Sequence, residues 1–352
     1  MKKLSINKDI SIAETMPSYF YLDENYYKLS INKIFKKSWQ FAILLNQFKN
    51  QNLYPIIFLE NSVDEQLLLS KSETNKIKCL LNVCTHRGSI LCDKPLQSKS
   101  IQCPYHGRTF DLNGNLKNAP GFNNVQNFPK KTDNLNLFKV IELNNFIFIG
   151  IEPKIDISPV LDNIKLKLTH FPFSKLVFDH LTSKEYYIDS HWALYCENYL
   201  EGFHIPYIHK GLNAEIDINT YHTELIKNGI LQIAYSNNKH DAIDIDNNVY
   251  AYYYFLFPNL MINFYKWGVS INIIEPLSKN KTKVRFLSYP LKNMSQPTNI
   301  NSSVDIVEEE DQRIVQNVQK GIQSSFYNRG RYSKKYEKGV HHFHRLISRY
   351  MD

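Results

Sequence analysis

A chain of 352 residues, 43% of them apolar and 13% aromatic, is long enough to bury two cores and to line a cavity with rings as well. Its formal charge of +8 does not make it a nucleic-acid binder, because the basic residues are scattered, with one modest cluster at Arg329, Arg331, Lys334, Lys335 and Lys338. The first twenty residues carry Lys8, Asp9 and Glu14 where a signal core would be apolar, and no stretch of about 18 apolar residues follows, so a cytoplasmic protein with no membrane span is expected.

From Trp39 to Glu152 the chain reads as strand-length apolar runs broken by polar turns: Phe41–Leu45, Tyr54–Leu59, Gln66–Leu69, Ile77–Val83 and Phe146–Ile151. Asn113-Gly114, between alternating apolar residues, predicts a two-residue hairpin. After Pro153 the pattern becomes mixed. Helices are expected at Pro159–His170 and Trp192–Glu201, strands at Val249–Phe257, Val269–Glu275 and Val284–Pro290, and a long helix over Ser302–Ser325. That helix has Val304, Val307, Val315, Val318 and Ile322 on one stripe and Ser302 or Ser303 as its cap. The fold class is therefore α+β: an all-β region at 39–152 followed by a mixed α+β region after Pro153.

Of the five cysteines, Cys79, Cys84, Cys92, Cys103 and Cys196, two lie in short loops that each pair a cysteine with a histidine. These are Cys84-Thr85-His86-Arg87-Gly88 and Cys103-Pro104-Tyr105-His106-Gly107. A reducing cytosol favours metal ligation over disulfides. A structural zinc with two Cys and two His is one reading. The mixed content of each loop favours a two-iron cluster with both cysteines on one iron and both histidines on the other. Here the sequence resembles the Rieske family, whose C-x-H and C-x2-H loops match at Cys84, His86, Cys103 and His106. Respiratory Rieske proteins carry an extra cysteine in each loop; Ser89 and Tyr105 stand in those places, which points to the oxygenase branch.

Farther on, Glu197, Glu201 and His204 fall at i, i+4 and i+7 of the expected helix, and Pro206 should end it, so that His209 comes back from a new turn. Two histidines with nearby carboxylates suit a 2-His-1-carboxylate iron site. Asp311 lies in register with the apolar stripe, where a buried carboxylate needs a metal or a basic partner. The segment resembles the catalytic-iron motif of Rieske oxygenase α subunits. The resemblance implies His204, His209 and Asp311 as iron ligands. It makes Glu201 the acid that hydrogen-bonds His204 and accepts a bond from His106 of a neighbouring subunit.

Glutamate at 201, with the ending Val318–Gly321 and Gly339–His344, is similar to the choline, betaine and carnitine monooxygenase branch. The resemblance further implies a Rieske domain at 39–152 inserted into a catalytic domain of 1–38 and 153–352 built on an antiparallel sheet, with a [2Fe-2S] cluster, a mononuclear Fe(II), O2 and a homotrimer. It also implies a separate NAD(P)H-dependent reductase, with or without a ferredoxin, since no Gly-rich dinucleotide fingerprint occurs here. The reaction would be hydroxylation or oxidative demethylation of a small substrate. Tyr252, Tyr253, Tyr254, Phe255, Phe264, Tyr265 and Trp267 offer rings for a quaternary ammonium cage, or simply for the core. An aromatic-ring dioxygenase, a non-catalytic Rieske electron carrier and a zinc-stabilised binding module are the rival readings.

Overall fold

A computed structural model describes residues 2–209, 220–235, 242–294 and 298–352, those at 298–305 by their backbone alone. The chain forms two compact units, one of Lys36–Lys154 and one of Met1–Phe35 with Ile155–Asp352.

The smaller unit contains β1 (Gln40–Leu44), β2 (Leu53–Phe58), β3 (Glu65–Lys71), β4 (Ile77–Leu81), β5 (Ile101–Gln102), β6 (Thr109–Phe110), β7 (Leu116–Asn118), β8 (Leu137–Leu143) and β9 (Phe146–Gly150). Six of these form an antiparallel sheet in the order β1-β9-β8-β4-β3-β2, and β5-β6-β7 form a small second sheet. Leu53, Leu68 and Leu80 of the large sheet share one apolar cluster with Ile101 and Phe110 of the small sheet, and Cys84 and Cys103 lie in that cluster. The hairpin differs from expectation. Its strands stop at Phe110 and resume at Leu116, and the backbone N–H of Asn113 and Asn115 donate to the Asp111 side chain. The aspartate thus widens the turn past two residues, and Gly114 alone of the expected pair has a positive φ, 85°.

The larger unit carries α1 (Ser18–Leu22), α2 (Glu24–Lys33), α3 (Ser158–Lys167), β10 (Asp179–Ile188), α4 (Trp192–Tyr199), α5 (Ile205–Ile208), β11 (His222–Ile226), β12 (Gly229–Tyr235), β13 (Val249–Leu256), β14 (Leu260–Tyr265), β15 (Gly268–Ser278), β16 (Lys281–Pro290), α6 (Thr298–Gly321) and α7 (Lys338–Met351). Its antiparallel sheet runs β10-β16-β15-β14-β13-β12-β11. Consecutive strands pair in register across β12 to β16, so Gln232, Tyr253, Asn263 and Ser270 line up in one row and face the same way. The next residues along each strand, such as Tyr252, Tyr254 and Phe264, point to the opposite face.

Two helices depart from the pattern read in the sequence. Helix α4 ends at Tyr199, before Glu201, and Pro206 sits in the first turn of α5 instead of breaking a continuous helix. The reason is Glu201: its carboxylate accepts the backbone N–H of Phe203 and of His204, and so turns the chain before the next helix starts at Ile205. Helix α6 begins at Thr298, ahead of Ser302 and Ser303, whose side chains, with that of Val304, lie outside the described residues. It ends at Gly321, short of Ser325; its buried face is Glu308, Val315 and Gln319, with buried Ile322 just past the end, while Val318 is exposed. The polar members are satisfied by partners on or beside α4: Tyr195 donates its hydroxyl to Glu308 at 2.7 Å, and the His191 N–H reaches Gln319 Oε1 at 2.7 Å. Hydrogen bonding thus rotates the helix away from its purely apolar stripe. Among the described residues no helix is long and apolar enough to cross a membrane.

Candidate metal centres

The two Cys/His loops of the smaller unit have the same construction. Cys84 N–H donates to Ser89 O at 2.8 Å and Gly88 N–H to Cys84 O at 3.0 Å; Cys103 N–H donates to Arg108 O at 2.8 Å and Gly107 N–H to Cys103 O at 3.1 Å. Each loop closes through a glycine in the left-handed region, φ 71° at Gly88 and 69° at Gly107, where a side chain would be strained. This turn aims backbone N–H groups at the sulfurs: that of His86 at Cys84, and those of Tyr105 and His106 at Cys103.

Burial pushes the Cys84 thiol up. Burial acts the same way on Cys103, but the two backbone N–H donors, Cys84 and the Ser89 hydroxyl outweigh it and bring that thiol down. The sulfurs are buried and hydrogen-bonded to each other, whereas His86 is half-buried and His106 exposed, with their rings 4.8 Å apart. A sulfur pair on the inside and an imidazole pair on the outside fit a cluster with unlike irons. They do not draw together as ligands of one ion do. Among the described residues only His204, His209 and Asp311 bring three such donor atoms within 4.8 Å of one another.

That second grouping lies around α5, whose single turn separates His204 from His209. His209 Nε2 is 3.0 Å from Asp311 Oδ1, and His204 Nε2 is 3.6 Å from the same oxygen. Each imidazole is oriented from behind. His204 Nδ1 lies 2.6 Å from Glu201 Oε1, and His209 Nδ1 lies 2.8 Å from Glu310 Oε2. With both Nδ1 atoms donating to carboxylates, both Nε2 atoms face the same Asp311 oxygen, and a cation bound there would replace the proton that His209 Nε2 donates to it. Burial alone would lower the pKa of His209, but Asp311 and Glu310 outweigh it and raise it. Asn198, on α4, donates to Asp311 Oδ1 at 3.0 Å and fixes the carboxylate. Two facing histidines and one carboxylate suit a non-haem iron.

Family models match the two halves separately: a Rieske [2Fe-2S] domain over residues 38–129, and the catalytic domain of ring hydroxylating alpha subunits over 178–352. The chain is 32% identical over 348 residues to the chloroplastic choline monooxygenase of Beta vulgaris, covering 94% of this chain and 76% of that one. It belongs to the Rieske-type oxygenase alpha subunits. The carnitine monooxygenase oxygenase subunit of Escherichia coli K12 is 26% identical over 96% of this chain and 93% of its own length. In fold, the chain is similar to the quaternary ammonium Rieske monooxygenase CntA in complex with L-carnitine, with a TM-score of 0.81, 20% identity and all of both chains covered.

As a Rieske oxygenase the protein is an oxidoreductase that carries a Rieske cluster and a mononuclear iron and acts with O2, a separate reductase and a small-molecule substrate. The electron-carrier and zinc-module readings therefore fall. Glu308, Glu310 and Asn198 escaped the sequence reading. The spacing on α6 put Glu308 and Glu310 to the side, and only the rotation of that helix toward α4 turns them inward.

The rings expected to form a cage divide between the faces of the oxygenase's large sheet. Tyr252, Tyr254 and Phe264 point to one face. Tyr253 and Tyr265 point to the other, with ring centroids 5.8 Å apart, and Trp267 stacks on Tyr265 at 5.3 Å. Above them Tyr199 donates to Asn263 Oδ1 at 2.6 Å, and Asn263 Nδ2 donates to Ser270 Oγ at 3.1 Å. Ile205, directly after His204, clusters with Ala234, Tyr221, Tyr250 and Tyr253. The tyrosines on this face thus adjoin the turn that carries the histidines. Phe255 shares that face but packs on Phe343 at 5.5 Å, as core.

Proposed function

We propose that this oxygenase hydroxylates or oxidatively demethylates a small quaternary ammonium compound. The observation that carries the reading is the set of neutral rings against the iron turn: Tyr221, Tyr250 and Tyr253 packed on Ile205, with Tyr199 and Tyr265 alongside. A quaternary ammonium ion has no N–H to donate, so aromatic faces are the groups that attract it without a hydrogen bond. Burial holds the Tyr199, Tyr221 and Tyr253 hydroxyls well above the usual range, so these rings stay uncharged. The choline and carnitine named for the relatives belong to the same chemical class.

Cys84, His86, Cys103 and His106 would hold the cluster, and His204, His209 and Asp311 the mononuclear iron. When bound, the cluster supplies one electron at a time and the iron supplies the site of oxygen activation. The chain's own residues set the geometry. Glu201 and Glu310 keep both imidazoles in the tautomer that presents Nε2, Asn198 holds the Asp311 carboxylate, and the tyrosine face excludes water beside the reacting carbon. Glu201 has a second task in this reading. It joins the two redox centres across a homotrimer by accepting a hydrogen bond from the partner subunit's His106, an imidazole that is exposed in its own loop. The oxygen left for that bond, Oε2, already accepts two backbone N–H groups, so the carboxylate is held in place for it. The protein would work in the cytoplasm beside its reductase.

The test is a substrate screen with a reconstituted NADH-dependent reductase, preceded by metal analysis. Choline, betaine or carnitine analogues should stimulate O2-dependent NADH use with formation of a hydroxylated or demethylated product. Stimulation by an arene alone would replace the substrate assignment with a ring dioxygenase; a colourless, zinc-loaded protein from iron-replete cells would remove the metal assignment.

A further inference from the structure

Arg108 follows directly on the second ligand loop, yet its side chain is only 4% exposed. A buried guanidinium presents five N–H groups that ask for acceptors, and leaving its charge unpaired is costly. Here the compensation is thin. Nη1 donates to Thr85 Oγ1 at 2.9 Å, the Asp133 carboxylate stands off at 3.6 Å, and Nε has no hydrogen-bond partner among the described residues. The remaining stabilisation comes from two ring faces, with the guanidinium carbon 4.7 Å from the centroid of Phe122 and 5.2 Å from that of Phe128.

Each of these partners leads back to the ligand loops. Thr85 lies between Cys84 and His86, and its hydroxyl donates to Asp133 O at 2.8 Å. Phe122 meets the His86 ring edge-on at 5.2 Å. The Arg108 carbonyl accepts the Cys103 N–H. One cation therefore ties both ligand loops to the 122–133 segment and keeps much of its charge while doing so.

We infer that Arg108 is a positioning residue that raises the reduction potential of the cluster. The inference rests on the reading of Cys84, His86, Cys103 and His106 as cluster ligands. Reduction adds one negative charge at the cluster, and a permanent cation nearby in a poorly screened interior favours the reduced form. A purely structural role would move cluster retention or thermal stability and leave the potential of the surviving cluster alone.

The experiment is a redox titration of the holoenzyme followed by the cluster's visible and EPR spectra. Arg108→Met keeps the apolar bulk and removes the charge. It should shift the reduction equilibrium about tenfold toward the oxidised form, about 59 mV lower for one electron. Arg108→Lys, which keeps the charge, should stay close to the parent potential. Asp133→Asn removes the partial counter-charge and should shift the equilibrium the other way, by roughly threefold. An Arg108→Met protein with an intact Rieske spectrum and an unchanged potential overturns the inference. If Arg108→Met assembles no cluster, Arg108→Gln, a neutral polar replacement, decides: a lowered potential upholds the role, and an unchanged or raised one ends it. A parent protein that shows no Rieske spectrum removes the ligand reading itself, an outcome visible before any potential is measured.

Discussion

The two centres solve opposite electrostatic problems. In the smaller unit a charge must arrive, and the fold sets a buried cation, Arg108, and several N–H donors around two sulfurs. In the larger unit a cation must be held, and the fold sets three carboxylates, Glu201, Glu310 and Asp311, around two histidines. The proposed cluster loops are local, closed by backbone hydrogen bonds spanning four or five residues, whereas the proposed iron site joins α5 to a helix far along the chain. The difference teaches where each centre is vulnerable: the first to a change in one loop, the second to anything that shifts α6 against α4.

The comparison breaks first on independence. Cys103→Ser should abolish the red-brown colour and the cluster's iron and sulfide while leaving mononuclear iron in place; retention of the cluster absorption would remove Cys103 from the ligand set. Asp311→Ala should do the converse, keeping the cluster spectrum and losing both the mononuclear iron and oxygenation. If iron analysis shows the mononuclear site still filled in that variant, the third ligand lies elsewhere.

Glu201→Gln sharpens the link between the centres. It should keep its cluster and most of its mononuclear iron, yet in a single turnover the pre-reduced cluster should yield little or no product. Normal single-turnover yield would reduce Glu201 to the residue that turns the chain between α4 and α5. Glu310→Gln should act more gently, weakening iron binding by about 10–100-fold through the orientation of His209 while leaving the potential of the cluster unchanged. A metal titration that matches the parent would show that the Glu310–His209 contact orients nothing. The smallest effect belongs to the substrate face. Tyr253→Leu should raise KM for a quaternary ammonium substrate about 5–30-fold, the worth of about 1–2 kcal/mol of ring attraction, with kcat much less affected. Equal KM values would return Tyr253 to the core.

How much of this was legible before any coordinates follows the same division. Cys84, His86, Cys103 and His106 could be picked out as candidate ligands from two short motifs because each loop is a local structure, closed by its own backbone. Arg108 could not, since nothing in its neighbours along the chain says that Phe122, Phe128 and Asp133 will wrap it. Asp311 was legible as a carboxylate on a helix face, but the expected face was drawn through Val318. The fold buries Glu308 and Gln319 instead, because Tyr195 and the His191 backbone supply their partners. The turn made by Glu201 was equally hidden: period and propensity extended α4 through it, and only a side chain reaching forward to the N–H groups of Phe203 and His204 ends the helix early. The strands β13, β15 and β16 announced themselves by apolar runs. The division of their tyrosines between the faces awaited the register.

One consequence of the span between His209 and Asp311 concerns time. These residues stand 102 positions apart, while Thr85 and Arg108, which tie the two cluster loops, stand 23 apart. Closing a longer loop costs more chain entropy, and contacts of high sequence separation form late in folding. During synthesis, the smaller unit has left the ribosome, with its loops able to close, before Asp311 has been added to the chain. Cluster assembly is thereby free to precede the iron site, and a nascent or truncated chain would acquire its colour before it could hold the metal at which oxygen reacts.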